Sequence, residues 1–279
     1  MLLDGPGVSL RAVCAAAHEK LFDCNHDDYF NTSPQVGSYL DTSWNAARSS
    51  FLDASGADVV PPIASAPTVA LSGASPDEAT VPVRVAWRAA VDDSTGVAGY
   101  ELSQKTDGGA YVPVSLGSPT ATGVTLDLPF DHTYRFMLRA VDLAGNRSVR
   151  VYSPTLTPDP TQESSGAIVY RGSWSREASG SALAGFQKGS EAARARARFA
   201  FSGREIAWVA RKGPNAGRAY VYVDDLYAKT VDLYAATANA REIVFRRRFA
   251  ATGAHTIAVW VAGTKNRPRV DIDAFLVLR

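Results

Sequence analysis

Residues 81–87 read VPVRVAW. Successive side chains of an extended chain point to opposite sides, so Val81, Val83, Val85 and Trp87 share one face. That spacing predicts a strand with one buried face. The same period of two recurs outward from this run. TYRFMLRAVD at 133–142 alternates Tyr134, Phe136, Leu138 and Ala140. AYVYVD at 219–224 sets Tyr220, Tyr222 and Asp224 on one face and Val221 and Val223 on the other, the core side. The chain is therefore read as mainly β.

Composition agrees with a folded, modular chain. It has 279 residues, 46% hydrophobic and 20% charged, which is ample for packed cores and argues against extensive disorder. No run approaches the roughly 18 apolar residues of a membrane span. The opening MLLDGPGVSLRA lacks the basic-then-apolar pattern of a signal peptide. Two cysteines exclude a disulfide-dense scaffold and a cysteine-based zinc cluster. The net charge of +1 conceals an asymmetry: residues 1–165 hold 10 Lys/Arg and 19 Asp/Glu, residues 166–279 hold 19 and 9.

Two stretches read as linkers, GADVVPPIASA at 56–66 and PDPTQESSGA at 158–167. They divide the chain into 1–55, 67–157 and 168–279. The first piece is too short to bury a core unaided. It has helical spacing at Leu10, Val13, Cys14, Ala17 and Leu21, and again at Leu40, Trp44 and Ala47, which predicts helices over about 9–22 and 37–50. Cys14 and Cys24 are available to staple it.

Segment 67–157 contains about seven short strands: PTVAL, VPVRVAW, VAGYELS, AYVPVSL, GVTLDL, TYRFMLRAVD and VRVYSPTL, with a turn at Asp107-Gly108-Gly109. Leu128, six residues before Tyr134, suits a tyrosine corner, in which the phenol bonds back to the chain. Trp87, Gly99-Tyr100-Glu101-Leu102, Leu128, Tyr134 and Ala140-Val141-Asp142-Leu143-Ala144-Gly145-Asn146 resemble a bacterial fibronectin type III or immunoglobulin-like module. The resemblance implies a two-sheet antiparallel sandwich and is nearly silent on function.

Segment 168–279 has longer, aromatic-rich strands: ARARFAFSG at 195–203, EIAWVARKG, RAYVYVDDLYAKTVDLYA, EIVFRRRFA, HTIAVWVAG and VDIDAFLVL. Gly172-Ser173-Trp174, Phe199, Phe201, Gly203, Ile206-Ala207-Trp208-Val209, Lys212-Gly213-Pro214, Val221-Tyr222-Val223-Asp224, Thr230-Val231-Asp232-Leu233-Tyr234, His255-Thr256-Ile257 and Asp273-Ala274-Phe275 are similar to galactose-binding-like jelly-roll modules of bacterial proteins. Such modules usually have Gly where this chain has Asp225. The resemblance implies a second antiparallel sandwich, a secreted parent, and a partner that is a polysaccharide or cell-wall glycan.

Trp174, Tyr220, Tyr222, Tyr234, Asn266 and Arg267 are the candidate sugar contacts, because aromatic faces stack on sugar C–H surfaces while amide and guanidinium groups bond hydroxyls. Each also has an ordinary structural reading. Trp208 and Trp260, inside apolar strands, are read as core. Arg194, Arg196 and Arg198 project from one strand face, as do Arg246 and Arg248, so a pair of strands carrying both rows would make a basic stripe for an anionic polymer; a solvated face is the simpler reading. No nucleic-acid motif accompanies it. Asp271 and Asp273, two apart on one face, are candidate ligands of a structural Ca²⁺.

Leu10–Glu19, Leu21–Phe30, Gly37–Leu40 and Trp44-Asn45 resemble the end of the catalytic domain of secreted actinobacterial zinc metalloprotease-like proteins. That resemblance implies a Cys14–Cys24 disulfide, a truncated catalytic domain over 1–55, and an N-terminus that is internal to a longer protein. His18-Glu19 does not continue into His-Glu-x-x-His, because position 22 is Phe. No catalytic set is seen. The reading is a monomeric, non-catalytic region of a secreted hydrolase with a carbohydrate-binding module on a sandwich spacer. The alternatives are a metallopeptidase tail or a purely structural pair of modules.

Overall fold

The computed structural model describes residues 36, 37, 39–42 and 58–279. Cys14, Cys24, the helix expected over 9–22 and most of that over 37–50 lie outside the described residues. A single helical turn, α1 (Tyr39–Thr42), falls within the second of these. The chain divides into two compact units, Met1–Val59 and Val60–Arg279. The second unit contains two antiparallel β-sandwiches.

The first sandwich pairs a three-stranded sheet with a four-stranded one. β1 (Thr68–Leu71), β2 (Thr80–Ala86) and β5 (Gly123–Pro129) run in the order β1-β2-β5. β3 (Val97–Thr106), β4 (Tyr111–Val114), β6 (Tyr134–Asp142) and β7 (Val151–Tyr152) run in the order β4-β3-β6-β7. Val81, Val83 and Val85 are fully buried, as their alternation requires, and Phe136 and Leu138 meet them from the other sheet. The tyrosine corner is present: the Tyr134 hydroxyl donates to the Pro129 carbonyl at 3.0 Å. The ring is buried while its oxygen is satisfied by the chain that leads into its own strand.

The second sandwich sets a seven-stranded sheet against a three-stranded one. β8 (Pro158–Gln162), β9 (Ile168–Arg171), β12 (Arg196–Lys212), β13 (Arg218–Val223), β14 (Leu226–Asp232), β15 (Asn239–Val261) and β17 (Ala274–Leu278) form the large sheet, ordered β14-β13-β15-β12-β17-β8 with β9 also on β12. β10 (Ser175–Ala178), β11 (Phe186–Ser190) and β16 (Val270–Ile272) form the small one. Phe199, Phe201, Trp208, Val221, Ile257, Val259, Ile272 and Phe275 fill the space between them.

Two expectations are corrected here. The segment 158–167 does not link modules: Pro158–Gln162 pair with the C-terminal strand, Leu278 opposite Pro158 and Ala274 opposite Gln162. Proline is tolerated because β8 lies at the sheet edge. The four strands read separately at 195–213 and 242–263 are two continuous ones, β12 and β15, paired along their length. Their register shifts between Gly203 and Glu205. A Cβ at Gly203 would meet Val277 Cγ1 at 2.4 Å, so only glycine allows β12 to pass β17 there.

The shift also changes which parity faces inward. Ala197, Phe199 and Phe201 belong to the core before it, and Ile206, Trp208 and Ala210 after it. The outward residues Ala207 and Val209 are buried as well, with Ala274, Leu276 and Leu278, in the apolar cluster that contains the core of the first sandwich. The two sandwiches are thus packed together. Edge strand β1 is sealed at this junction: Leu71 N–H donates to Glu205 Oε2 at 3.0 Å, and the Leu71 carbonyl accepts from Arg246. Pairing the edge with side chains prevents it from templating another strand.

Candidate functional site

The outward face of the large sheet is covered at one end and open at the other. The strand register builds the open end from two adjacent rows. In the first, Arg171 on β9 faces Arg196 on β12, which faces Trp260 on β15, which faces Tyr220 on β13, which faces Thr230 on β14. In the second, Val169, Arg198, Ala258, Tyr222 and Tyr227 take the corresponding places. Ala258 is the smallest member of the second row and leaves a depression between larger neighbours. The resulting groove has a volume of about 580 Å³ and is walled by Tyr222, Trp260, Arg196, Arg198 and Arg171.

The aromatic rings lie side by side. Tyr222 is 5.4 Å from Trp260, centroid to centroid, and 5.9 Å from Tyr227 in an edge-on arrangement. Tyr220 is 41% exposed and Tyr227 is 59% exposed, so apolar ring surface faces water. The Arg196 guanidinium lies over the Trp260 ring at 5.1 Å.

One wall is set by a hairpin. The two-residue turn Asp224-Asp225 has φ of 51° and 62°, both in the left-handed region that a tight hairpin demands and that glycine adopts more readily. Asp224 compensates by accepting from Thr256 N–H and His255 Nδ1, each at 2.8 Å. These bonds overcome the cost of its partial burial and hold its carboxyl below the usual carboxylate range. Asp225 instead accepts from Arg198 Nη2 at 3.2 Å.

The six residues proposed from sequence as sugar contacts fall in three places. Tyr220 and Tyr222 are on the open face. Tyr234, Asn266 and Arg267 are at the loop end of the sandwich. There the Arg267 guanidinium grips Asp232 at 2.6 and 2.9 Å, bonds the Ala216 carbonyl at 2.8 Å and lies over the Tyr234 ring at 5.3 Å. Its hydrogen bonds hold the Asp232 carboxyl far below the ordinary range. Arg267 is thus already engaged in clamping the loops. Trp174 donates from Nε1 to the Arg171 carbonyl at 3.2 Å and packs on Tyr170 and the core.

Of three further readings, the first holds and the other two change. Trp208 is core, its Nε1 bonded to the Asp271 carbonyl at 3.2 Å. Trp260 is not core; it stands on the open face. The alternation of Ile257, Val259 and Val261 toward the interior already required this. The basic stripe divides in two: Arg196 and Arg198 lie in the groove, whereas Arg246 pairs with Ala207 and Arg248 with Glu205 at the covered end.

Asp271 and Asp273 are buried and held by different partners. Asp271 accepts from Arg269 Nε at 2.9 Å, and Arg269 also grips Glu177 at 2.7 Å. Asp273 accepts from Leu183 N–H at 3.0 Å. Burial pushes both carboxyls upward, Asp273 to about 6. Among the described residues, no set of three acidic, His or Cys groups placed to share a cation includes either of them. Arg269 already supplies the positive charge beside Asp271.

No protein-family model matches the chain. The A type blood N-acetyl-alpha-D-galactosamine deacetylase of Flavonifractor plautii is 31% identical over 116 residues, or 42% of this chain. The match spans 14% of that protein's length. Among solved structures, the CBM36-1 domain of a multidomain xylanase from the hindgut metagenome of Trinervitermes trinervoides is 12% identical, covering 44% of this chain and 97% of that one, with a TM-score of 0.32. A carbohydrate-binding module CBM36 in complex with calcium and xylotriose is 8% identical, covering 43% and 98%, with a TM-score of 0.30. Paenibacillus xanthan lyase is 14% identical, covering 72% and 19%, with a TM-score of 0.36. No helix among the described residues is long and apolar enough to cross a membrane.

Proposed function

We propose that residues 158–279 form a carbohydrate-binding module and that the open sheet face is its binding surface. The observation that carries this reading is the cluster of outward aromatic rings, Trp260 and Tyr220 in one row and Tyr222 and Tyr227 in the next, beside a groove. Exposed Tyr220 and Tyr227 beside half-buried Trp260 and Tyr222 leave apolar ring surface in water, and ring faces suit the C–H surfaces of sugars. A groove running across several strands suits an extended chain of sugars. The likeness to the Flavonifractor plautii deacetylase supports a carbohydrate-directed parent over a peptidase.

In this reading the sandwich over 67–157 is a fibronectin-like spacer that presents the module, and the chain is the non-catalytic, secreted part of a carbohydrate-active enzyme. Tyr234, Asn266 and Arg267 would form a secondary contact at the loop end. The metalloprotease-like resemblance rests mostly on residues outside those described, and nothing in the groove favours it.

The test is affinity electrophoresis of the full chain through gels containing single polysaccharides. Retardation by at least one polymer, abolished by Trp260→Ala with an unchanged melting temperature, is the expected result. Full retardation of the Trp260→Ala variant would remove the open face from consideration. Loss on Arg267→Ala alone would move the site to the loop end.

A further inference from the structure

We propose that the groove selects an anionic glycan, one bearing carboxylate or sulfate groups, through Arg171 and Arg196. This rests on the open face being the carbohydrate surface. Three arginines wall the groove, and the chain supplies an anion to one of them. Arg198 has Asp225. Among the described residues, Arg171 and Arg196 form no ion pair. They are nonetheless direct partners across the β9–β12 ladder. Like charges facing each other across strands are destabilising. The fold therefore sets two arginines without an ion pair side by side on the wall of one groove, whose one lining carboxylate, Asp225, is bonded to Arg198.

The neighbourhood prepares them for a planar anion. The Arg196 guanidinium lies over the Trp260 ring at 5.1 Å, a contact that restrains it on the groove wall. A guanidinium edge matches a carboxylate or sulfate with two parallel bonds. A sugar stacked on Tyr220 or Tyr222 would carry its acidic substituent toward β12 and β9, because Arg196 and Arg171 continue the row in which Tyr220 and Trp260 stand. Aromatic contact then gives affinity for the ring, and the arginine pair gives preference for the charge. A glycan is favoured over a nucleic acid because the uncompensated charge is confined to one end of one row, rather than tracking a phosphate backbone.

The experiment measures binding of the full chain to polygalacturonate, chondroitin sulfate, neutral xylan and a single-stranded DNA oligonucleotide, by calorimetry at low and high sodium chloride. Tighter binding to an anionic glycan than to xylan is expected, weakening with salt. Arg171→Gln and Arg196→Gln should each weaken it about tenfold without lowering the melting temperature. The two anionic polymers distinguish carboxylate from sulfate as the group recognised. Equal, salt-insensitive binding of xylan, unchanged in both arginine variants but lost in Trp260→Ala, would overturn the proposal and leave the carbohydrate surface standing. No glycan bound, with Trp260→Ala indistinguishable from wild type, would remove the surface itself. DNA bound more tightly than any glycan would overturn the proposal in favour of a nucleic-acid face.

Discussion

One face of the seven-stranded sheet has two fates. At the β17 end it presents Ala207, Val209, Ala274, Leu276 and Leu278, and the first sandwich buries them. At the β13 end it presents Arg196, Arg198, Trp260, Tyr220 and Tyr222 around the buried Ala258, and among the described residues no second layer packs on them. The covered half is small and aliphatic, as a permanent contact between packed layers requires. The open half is aromatic and cationic, and these residue types bind exchangeable partners because they combine apolar area with oriented polar edges. The difference separates a surface that is closed by packing from one that suits an exchangeable partner.

The comparison breaks most sharply at Leu276. Replacing it with Asp would place an unpaired charge under the first sandwich. We expect a loss of more than about 3 kcal/mol and a folding defect, read as a large fall in the denaturant midpoint. Trp260→Asp on the open half should cost less than about 1 kcal/mol of stability while eliminating glycan binding. Equal destabilisation by both substitutions would mean that the open half is structural.

The covered half also carries a pH dependence of its own. Glu205, beneath the first sandwich, and Asp273, beside β17, are both pushed upward by burial, Asp273 to about 6. An acid whose folded pKa lies above its unfolded value binds its proton more tightly in the fold. Its contribution is therefore fully present at low pH and is lost as pH rises, for Asp273 from about 4 through about 6. For Asp273 the difference is on the order of 3 kcal/mol. Asp273→Asn should flatten that part of the stability profile measured by urea unfolding and raise stability at pH 7. An unchanged slope would assign the pH dependence elsewhere. Below pH 4 the sign reverses, because Asp224 and Asp232 are held low and their partners are lost on protonation.

How much of this was legible follows from what alternation can report. Val81, Val83 and Val85 face one core and nothing else, so a period of two finds them. Tyr220 and Tyr222 were placed outward for the same reason. Ala207 and Val209 carry no such signal, because that stretch of β12 is buried on both faces by two different modules. Hydrophobicity misplaces Trp260: an open face rich in rings looks like core in composition, and only strict parity with Ile257 and Val259 separates them. The pairing of Arg171 with Arg196 and of Arg196 with Trp260 is a matter of register between distant strands, and no local pattern in the chain states it. Residues 158–167 read as a linker because they show no apolar periodicity, and Pro158 and Pro160 deny ladder donors, a loss that an edge strand tolerates.

The smallest change sharpens the comparison most. Asp225 occupies a turn position with φ of 62°, where glycine is the easier residue, and its carboxylate neutralises Arg198 at the rim of the open half. Asp225→Gly removes the left-handed strain, worth up to about 1 kcal/mol, and loses an exposed ion pair worth less than that. Stability should therefore rise slightly or stay level in thermal unfolding. Binding should move the other way from a simple loss of a polar contact: with Asp225 gone, Arg198 joins Arg171 and Arg196 as a third uncompensated guanidinium, and affinity for an anionic glycan should increase by a few-fold while affinity for a neutral one stays constant. If Asp225→Gly weakens both equally, the hairpin shapes the groove through its backbone, and the Asp225 carboxylate has no part in setting its charge preference.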